Sequence, residues 1–396
     1  MHMDISKLNK IITPSGTMAI SNKAKILKKE GKPVIGFGAG EPDFPTPSYV
    51  IDDVKAAAEN PENHKYTAVA GLEILRNEIA KTTSLYSGFE SDPNNIVISN
   101  GGKHAIFNTL ISILDQNDEV LIPAPYWTTY PEAVKIAGGV PKIVTTSFQD
   151  NFKVTVEQLN ENLTDKTKAL VWVSPSNPTG VVYTKKEAEL IYEWAFNNNI
   201  WIISDELYEH LVYEGEKTPS PAIYDPNFQN TIVINGVAKA YSMTGWRVGW
   251  IIGNDDVINI AKKIQSHATS NVANLSQIAA TSALKNGLDE TNKMKEAFDK
   301  RRIFALDIFN NIKNVKIAKP NGAFYLFPDI SYYCNEKIKN VSSSIDFCNW
   351  LLDEHYIAFV PGEVFGAEGY LRCSYALSDN DLNEGLSRFS EAVKDL

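Results

Sequence analysis

Lys239 sits in Asn235-Gly236-Val237-Ala238-Lys239-Ala240, among small and apolar neighbours. Most lysines are solvated surface residues. An amine in such a setting loses hydration, its pKa falls, and it becomes available as a nucleophile. Asp205 ends the apolar run Ile200-Trp201-Ile202-Ile203-Ser204. A carboxylate there is costly unless a cation or a donor meets it. It is either a helix cap or an acid aimed at a ligand. Arg247 follows eight residues after Lys239, in Thr244-Gly245-Trp246-Arg247-Val248-Gly249. Cationic side chains beside glycine-rich backbone can hold a phosphate dianion. Asn100-Gly101-Gly102-Lys103 opens a helical pattern, where glycines let an anion approach the amino end closely. The spacing is not that of a P-loop. Asn177-Pro178-Thr179-Gly180 reads as a turn, or as an amide turned into a cleft. Taken singly, each motif has an ordinary structural reading.

The elements that must position these residues alternate. Short apolar runs at 95–99, 120–123, 169–173, 200–204, 231–234 and 248–252 read as buried strands. Helical patterns at 103–114, 130–136, 184–197 and 255–267 lie between most of them. Apolar strands separated by helices imply parallel pairing with both faces covered. The expected fold is therefore α/β with a large, mostly parallel central sheet, and ligands bind at the carboxyl ends of such strands. From Thr291 onward the pattern changes to a long charged helix at 293–312, then Asn321-Gly322-Ala323-Phe324-Tyr325-Leu326, a helix at 344–354 and a strand at 371–376. The expected division is a large domain at 46–290 and a smaller α+β domain from 1–45 plus 291–396.

Composition removes several classes. The 396 residues are 43% apolar and 22% charged, which excludes disordered and collagen-like chains. The net charge is −10, from 38 basic and 48 acidic residues, and disfavours nucleic acid or an anionic membrane as partner. Cys334, Cys348 and Cys373 are sparse, odd in number and lack CxxC spacing. They read as reduced thiols, with no structural metal expected. No run approaches the roughly 18 apolar residues of a membrane helix. The segment MHMDISKLNKIITPSG lacks the apolar stretch of a secretion signal, so the expected address is the cytoplasm. His64, His104, His210 and His267 have no metal spacing, and His104 stands near the helix start after Gly102. Asp205 and Glu206 are adjacent on a strand and must face opposite ways, so they are not a glycosidase pair. Tyr213, Trp250 and Phe365 read as core.

In conjunction, these motifs make the sequence resemble the fold-type I, pyridoxal-phosphate-dependent aminotransferases, and among them the bacterial-type (subgroup I-beta) aspartate aminotransferase group. The matching pieces are Ala39-Gly40-Glu41-Pro42-Asp43-Phe44, Lys65-Tyr66, Asn100-Gly101-Gly102-Lys103, Pro125-Tyr126-Trp127, Asn177-Pro178-Thr179-Gly180, Asp205-Glu206-Leu207-Tyr208, Lys239 with Arg247, and Arg372-Cys373-Ser374-Tyr375. They follow the family's order over most of the chain. The resemblance implies that Lys239 is the Schiff-base lysine and that Asp205 pairs with the pyridine nitrogen of pyridoxal 5′-phosphate. It implies that Asn177 and Tyr208 bond the ring hydroxyl oxygen, Trp127 stacks on the ring, and Arg247 with Gly101, Gly102 and Lys103 holds the phosphate. Arg372 would grip the substrate α-carboxylate, with backbone of Gly40 beside it. Tyr66 would reach a neighbour's site in a homodimer with shared active sites. The implied reaction is ping-pong transamination of L-aspartate with 2-oxoglutarate to oxaloacetate and L-glutamate.

Two departures from the family pattern bear on specificity. Gly236-Val237-Ala238 lacks the hydroxyls that many relatives place before the lysine, which leaves Ser242 or backbone to replace them. The stretch 266–274 holds no arginine for a distal carboxylate, so the resemblance assigns that task to Lys103 with Ser15 and Thr17. Relatives that accept prephenate carry a lysine before the amino-terminal Pro-Ser, whereas this chain has Thr13. Prephenate is therefore not expected. The competing readings are aromatic or alanine-type transamination, β-decarboxylation or C–S lysis on the same scaffold. A non-catalytic regulator that binds the cofactor is a further one, but the acidic chain has only about 40 residues before its first motif.

Overall fold

The structure is a computed structural model that describes residues 6–14, 16–215, 217–335 and 338–396. Its strands, in chain order, are β1 (Ile35–Gly36), β2 (Ile96–Ser99), β3 (Glu119–Ala124), β4 (Val140–Thr145), β5 (Thr167–Val173), β6 (Trp201–Asp205), β7 (Thr231–Gly236) and β8 (Gly249–Ile252). Four short ones follow: β9 (Tyr325–Leu326), β10 (Ile357–Ala358), β11 (Val360–Pro361) and β12 (Leu371–Ser374). The helices are α1 (Gly16–Lys29), α2 (Ser48–Ala58), α3 (Glu73–Thr82), α4 (Gly102–Ile113), α5 (Thr129–Ile136) and α6 (Val156–Asn162). Then come α7 (Lys185–Asn197), α8 (Asp255–Ala268), α9 (Asn274–Lys285), α10 (Asp289–Asn311), α11 (Ser344–His355) and α12 (Asp379–Val393).

Seven strands form one sheet in the order β2-β8-β7-β6-β5-β3-β4. Every residue of β2, β7 and β8 is buried, because helices cover both faces. Helices start where side chains can accept the free amino-end N–H groups. Thr184 and Glu187 make a reciprocal capping box for α7, as Thr155 and Gln158 do for α6. Asn254 caps α8, whose first turn carries Asp255 and Asp256 against the positive end of the helix dipole.

The sheet is mostly parallel, as expected, through β4-β3-β5-β6-β7, and β8 is the exception. That strand is antiparallel to both β7 and β2. The reason lies in the link: residues 237–248 hold one 3-10 turn, Thr244–Trp246, and no crossover helix to carry the chain back. A parallel return needs such a crossover. The reversal has a consequence for position. Ser99 and Gly236 both register with Gly249, so the carboxyl ends of β2 and β7 and the amino end of β8 share one edge of the sheet. Strand β4, absent from the sequence reading, is an edge strand with exposed Val140 and a proline at its second position. Only Val144 of its six residues is buried, so no continuous apolar run or clean alternation marks it.

The carboxyl-terminal part has its own aromatic core of Phe298, Phe309, Phe324, Phe347, Phe359 and Phe389. Ile35 and Phe37 from the amino-terminal segment pack into it, and β1 pairs in parallel with β10. Tyr208 and Leu211, from the loop after β6, join the same cluster. Strand β12 lies between β11 and β9, which sets Arg372 opposite Val360 and Ser374 opposite Tyr325. Among the described residues no helix is long and apolar enough to cross a membrane.

Gly249 is where β8 meets the start of α4. A Cβ there would stand 2.5 Å from the Gly102 amide nitrogen and 2.6 Å from the Gly101 carbonyl carbon. Both are backbone and cannot swing aside. Gly249→Ala should cost about 1–3 kcal/mol, read as a lower denaturant midpoint at unchanged slope. An unchanged midpoint would contradict this close approach.

Candidate active site

A cavity of about 490 Å³ opens on the edge where β2, β5, β6, β7 and β8 present their loops. Asn177, Asp205, Tyr208, Lys239, Arg247 and Arg372, drawn from five separate stretches, all line it. Lys239 lies three residues past the end of β7. Its ammonium donates to the Gly40 carbonyl and stands 5.7 Å from the centre of the Tyr208 ring. Burial pushes the amine down to about 8, and nearby Arg372 and Arg247 push the same way, against the pull of Glu41 and Asp205.

Asp205 is the last residue of β6 and is 4% exposed. Its Oδ2 accepts from the Tyr130 hydroxyl at 2.7 Å, and its Oδ1 accepts from the Leu207 N–H at 3.2 Å. Burial raises its pKa, while these two donors and Lys239 hold it down. Asp205 forms no ion pair among the described residues. It caps a turn rather than a helix. Glu206 faces away, where the hydroxyls of Ser204 and Ser220 both donate to its Oε1 at 2.6 Å. Burial and the nearby Glu209 push that carboxyl up to about 8.

At the amino end of α4, Gly101 has φ +83°, which glycine adopts freely. A Cβ on it would stand 2.5 Å from Arg247 Nη2. The guanidinium therefore lies close against Gly101, donating to the Thr244 carbonyl at 3.0 Å and the Asn100 carbonyl at 3.3 Å. Lys103, one residue into the helix, is exposed and lies 5.0 Å from the Trp127 ring centre. Burial of its amine, with Arg247 nearby, lowers its pKa. This cluster of cations and free helix N–H groups suits a phosphate-sized anion. Ser242 does not add to it: its hydroxyl donates to the Met294 sulfur, and the residue does not line the cavity. His104 Nδ1 accepts from the Asn100 N–H at 3.1 Å, and so closes the loop before α4.

Arg372 is 3% exposed. Nη1 donates to Asn177 Oδ1 and Nη2 to the Gly38 carbonyl, each at 2.9 Å. The rings of Tyr325 and Phe365 lie 4.5 and 5.0 Å from its guanidinium carbon. Its Nε is buried without a partner, so the fork is oriented by neutral groups and keeps donor capacity for a carboxylate. Tyr208 hydrogen-bonds the Tyr325 hydroxyl at 2.8 Å, and burial keeps its phenol protonated.

Trp127 and Gly40 also line the cavity. Gly40 offers its carbonyl to Lys239, and it is Gly38 whose carbonyl meets Arg372. Tyr66 stands outside, 89% exposed. Ser15 and the side chain of Thr17 lie outside the described residues. Sequence reasoning missed Tyr130, Tyr325, Gly38 and the contact of Phe365 with Arg372. Tyr130 follows closely on Pro125-Tyr126-Trp127, and Tyr325 lies in the Asn-Gly-Ala-Phe-Tyr-Leu run, so each had a flag in the sequence without a partner to go with it.

Comparison with known proteins agrees with this arrangement. A family profile described as aminotransferase class I and II matches residues 32–389. The aspartate aminotransferase of Streptomyces avermitilis is 47% identical over 387 residues, covering 97% of this chain and 95% of that protein. The probable aspartate/prephenate aminotransferase of Aquifex aeolicus is 40% identical, with 97% of each chain covered. The solved aspartate aminotransferase of Thermus thermophilus with maleate superposes with a TM-score of 0.93 at 36% identity, over 98% of this chain and 100% of that one.

The environment of Lys239 makes stability depend on pH. Its amine binds a proton less readily folded, at about 8, than unfolded, at about 10.4. Below about 8 the folded state carries a charge it solvates poorly, and that penalty fades as pH rises through the interval. In ligand-free protein, Lys239→Met should therefore raise the thermal midpoint at neutral pH. The gain should shrink steadily as pH climbs from 8 past 10. A gain that is constant across that range would contradict the assignment.

Proposed function

The chain belongs to the class I and II aminotransferase family, and on that premise we propose that it transaminates L-aspartate with 2-oxoglutarate, giving oxaloacetate and L-glutamate, with pyridoxal 5′-phosphate as cofactor. Its fold is fold type I. One observation carries the reading: a desolvated lysine amine, a buried carboxylate without an ion pair and a buried arginine fork meet in one cavity.

The residues fit the cofactor. Asp205 offers negative charge to a ring nitrogen; Lys239 acts on that charge at a distance, and no direct ion pair among the described residues occupies the carboxylate. Asn177 and the Tyr208 hydroxyl offer hydrogen bonds to a ring oxygen. Trp127 lines the same cavity and offers an aromatic face. Arg247 and the N–H groups opening α4 suit a phosphate. When bound, pyridoxal 5′-phosphate supplies an aldehyde for amine exchange and a protonated ring that withdraws electrons from the substrate α-carbon.

The chain's own residues do the rest. Arg372 fixes the substrate α-carboxylate and so orients its Cα–H bond toward Lys239. The Lys239 amine is pushed down to about 8 by burial, and a useful share of it is unprotonated near neutral pH. It takes the proton from the substrate α-carbon and holds it as an ammonium on that face for return. Arg372 and Arg247 discourage the charged form, while Glu41 and Asp205 favour it. Lys103, at the α4 start, would meet a distal carboxylate, a task the family resemblance also assigns to Ser15 and Thr17. Alternation between an amino acid and an oxo acid makes the kinetics ping-pong.

The same reading makes the protein a homodimer, with Tyr66 serving the neighbouring subunit's site. Its 89% exposure and its position outside this chain's cavity support that role. It divides the chain into a large domain at 46–290 and a small one from 1–45 plus 291–396, and the core that joins Ile35 and Phe37 to the carboxyl-terminal aromatics supports the division. Three buried, unpaired cysteines support a cytoplasmic address. Prephenate appears in the names of some relatives. Here Thr13 gives both its N–H and its hydroxyl to Glu132, at 3.0 and 2.9 Å, and brings no cation for a further carboxylate.

Protein loaded with pyridoxal 5′-phosphate should absorb in the visible. Aspartate should bleach the band and release oxaloacetate, with 2-oxoglutarate restoring it. Lys239→Ala should lower turnover by at least about 10²- to 10⁴-fold. Faster bleaching by alanine or phenylalanine than by aspartate or glutamate would remove the acidic-substrate assignment.

A further inference from the structure

The cavity continues past the residues named above, along one face of α1. Ile20, Ser21, Ala24, Lys25 and Lys28 line this outer part. Their spacing puts them on a single stripe of the helix. Ile20 and Ala24 are buried and anchor that stripe, while Lys25 and Lys28 are exposed at the mouth. The neighbouring cations on α1 are differently placed. Lys23 is tied to Asp353 at 2.7 Å, and Lys29 does not line the cavity. Lys25 and Lys28 form no ion pair among the described residues.

The charge balance of the cavity is the reverse of the chain's. The protein carries −10 overall, yet the cavity is lined by six cationic side chains and only two carboxylates, Glu41 and Asp205. Four of the six lie at the inner end: Lys103, Lys239, Arg247 and Arg372. The other two are the lysines of α1, at the outer end. An anion approaching an acidic protein is repelled at long range. Within a Debye length, about 8–10 Å at ordinary salt, local charge decides instead. A concave mouth lined by one sign raises the local concentration of the opposite one.

We propose that Lys25 and Lys28 form an electrostatic lead-in that draws dicarboxylate substrates into the cavity and favours them over less charged acids before any contact with Lys103 or Arg372. This rests on the dicarboxylate reading of the site. The pull scales with ligand charge. It acts twice as strongly on 2-oxoglutarate, a dianion, as on aspartate, whose ammonium leaves one net negative charge, and it does not act on zwitterionic alanine. Because both ammonium groups stay solvated, the effect operates through the field and is screened by salt. It enters kcat/KM and leaves kcat unchanged.

The test compares the loaded enzyme with the K25Q/K28Q double variant and with K29Q, which removes a charge from the same helix off the cavity. At low ionic strength the double variant should lose about fivefold in kcat/KM for 2-oxoglutarate and about twofold for aspartate. Alanine should be unaffected. The dissociation constant of succinate, a dicarboxylate that cannot react, should weaken about fivefold by titration of the visible band. Both losses should vanish at high salt, and K29Q should match the unaltered enzyme throughout. A double variant with unaltered succinate affinity and salt slope would overturn the proposal. So would a loss that persists at high salt, or an equal loss in K29Q. The succinate titration needs no turnover, so it reads the two lysines even in a protein that fails to release oxaloacetate from aspartate.

Discussion

The structure turns on a carboxylate that the chain buries without a direct salt bridge among the described residues. Asp205 ends a central strand at 4% exposure, and its two polar contacts are a tyrosine hydroxyl and a backbone N–H. Removing a charged carboxylate from water costs several kcal/mol in real proteins. Two hydrogen bonds offset part of that cost, the one from Tyr130 being short and charge-assisted. Burial beside that same carboxylate keeps Tyr130 protonated and thus a donor. The remaining debt is carried by the rest of the sheet, and a cation bound at the site would relieve it.

The other charges in the cavity obey the same constraint. Lys239 and Asp205 influence each other, yet the ammonium donates to a backbone carbonyl rather than to the carboxylate. Arg372 is aligned by the Asn177 amide and the Gly38 carbonyl, with its Nε bare. Neutral groups thus aim each ion, and among the described residues none is spent on an internal salt bridge. The reversed strand β8 contributes to this arrangement. It brings Arg247 to the site edge from the amino end of a strand, next to the helix that begins at Gly102, and Gly249 lets that helix sit against the sheet.

Much of this was legible in the residues, and the illegible part has a common cause. Strands β2, β3 and β5 to β8 read as unbroken apolar runs because both their faces are covered. Edge strand β4 did not, since half its positions meet water. The direction of β8 is set by the link before it rather than by its own residues, so its composition could not mark it as the antiparallel exception. At the site, the residue types at 177, 205, 239 and 247 flagged themselves, and resemblance to a family added their roles and Arg372. The partners that hold them did not show. Tyr130 lies 75 residues from Asp205, Gly38 lies 334 from Arg372, and Tyr325 lies 117 from Tyr208. Such pairings are made by the fold, and no local pattern encodes them.

The central claim is that the Asp205 carboxylate stays ionised and holds a proton on the bound ring nitrogen. The direct measurement is the nitrogen chemical shift of pyridoxal 5′-phosphate labelled with ¹⁵N in the ring, bound to the protein across neutral pH. The account predicts a protonated nitrogen in the unaltered enzyme and loss of that proton in Asp205→Asn. An unprotonated nitrogen in the unaltered enzyme, or one that stays protonated without the carboxylate, would contradict it.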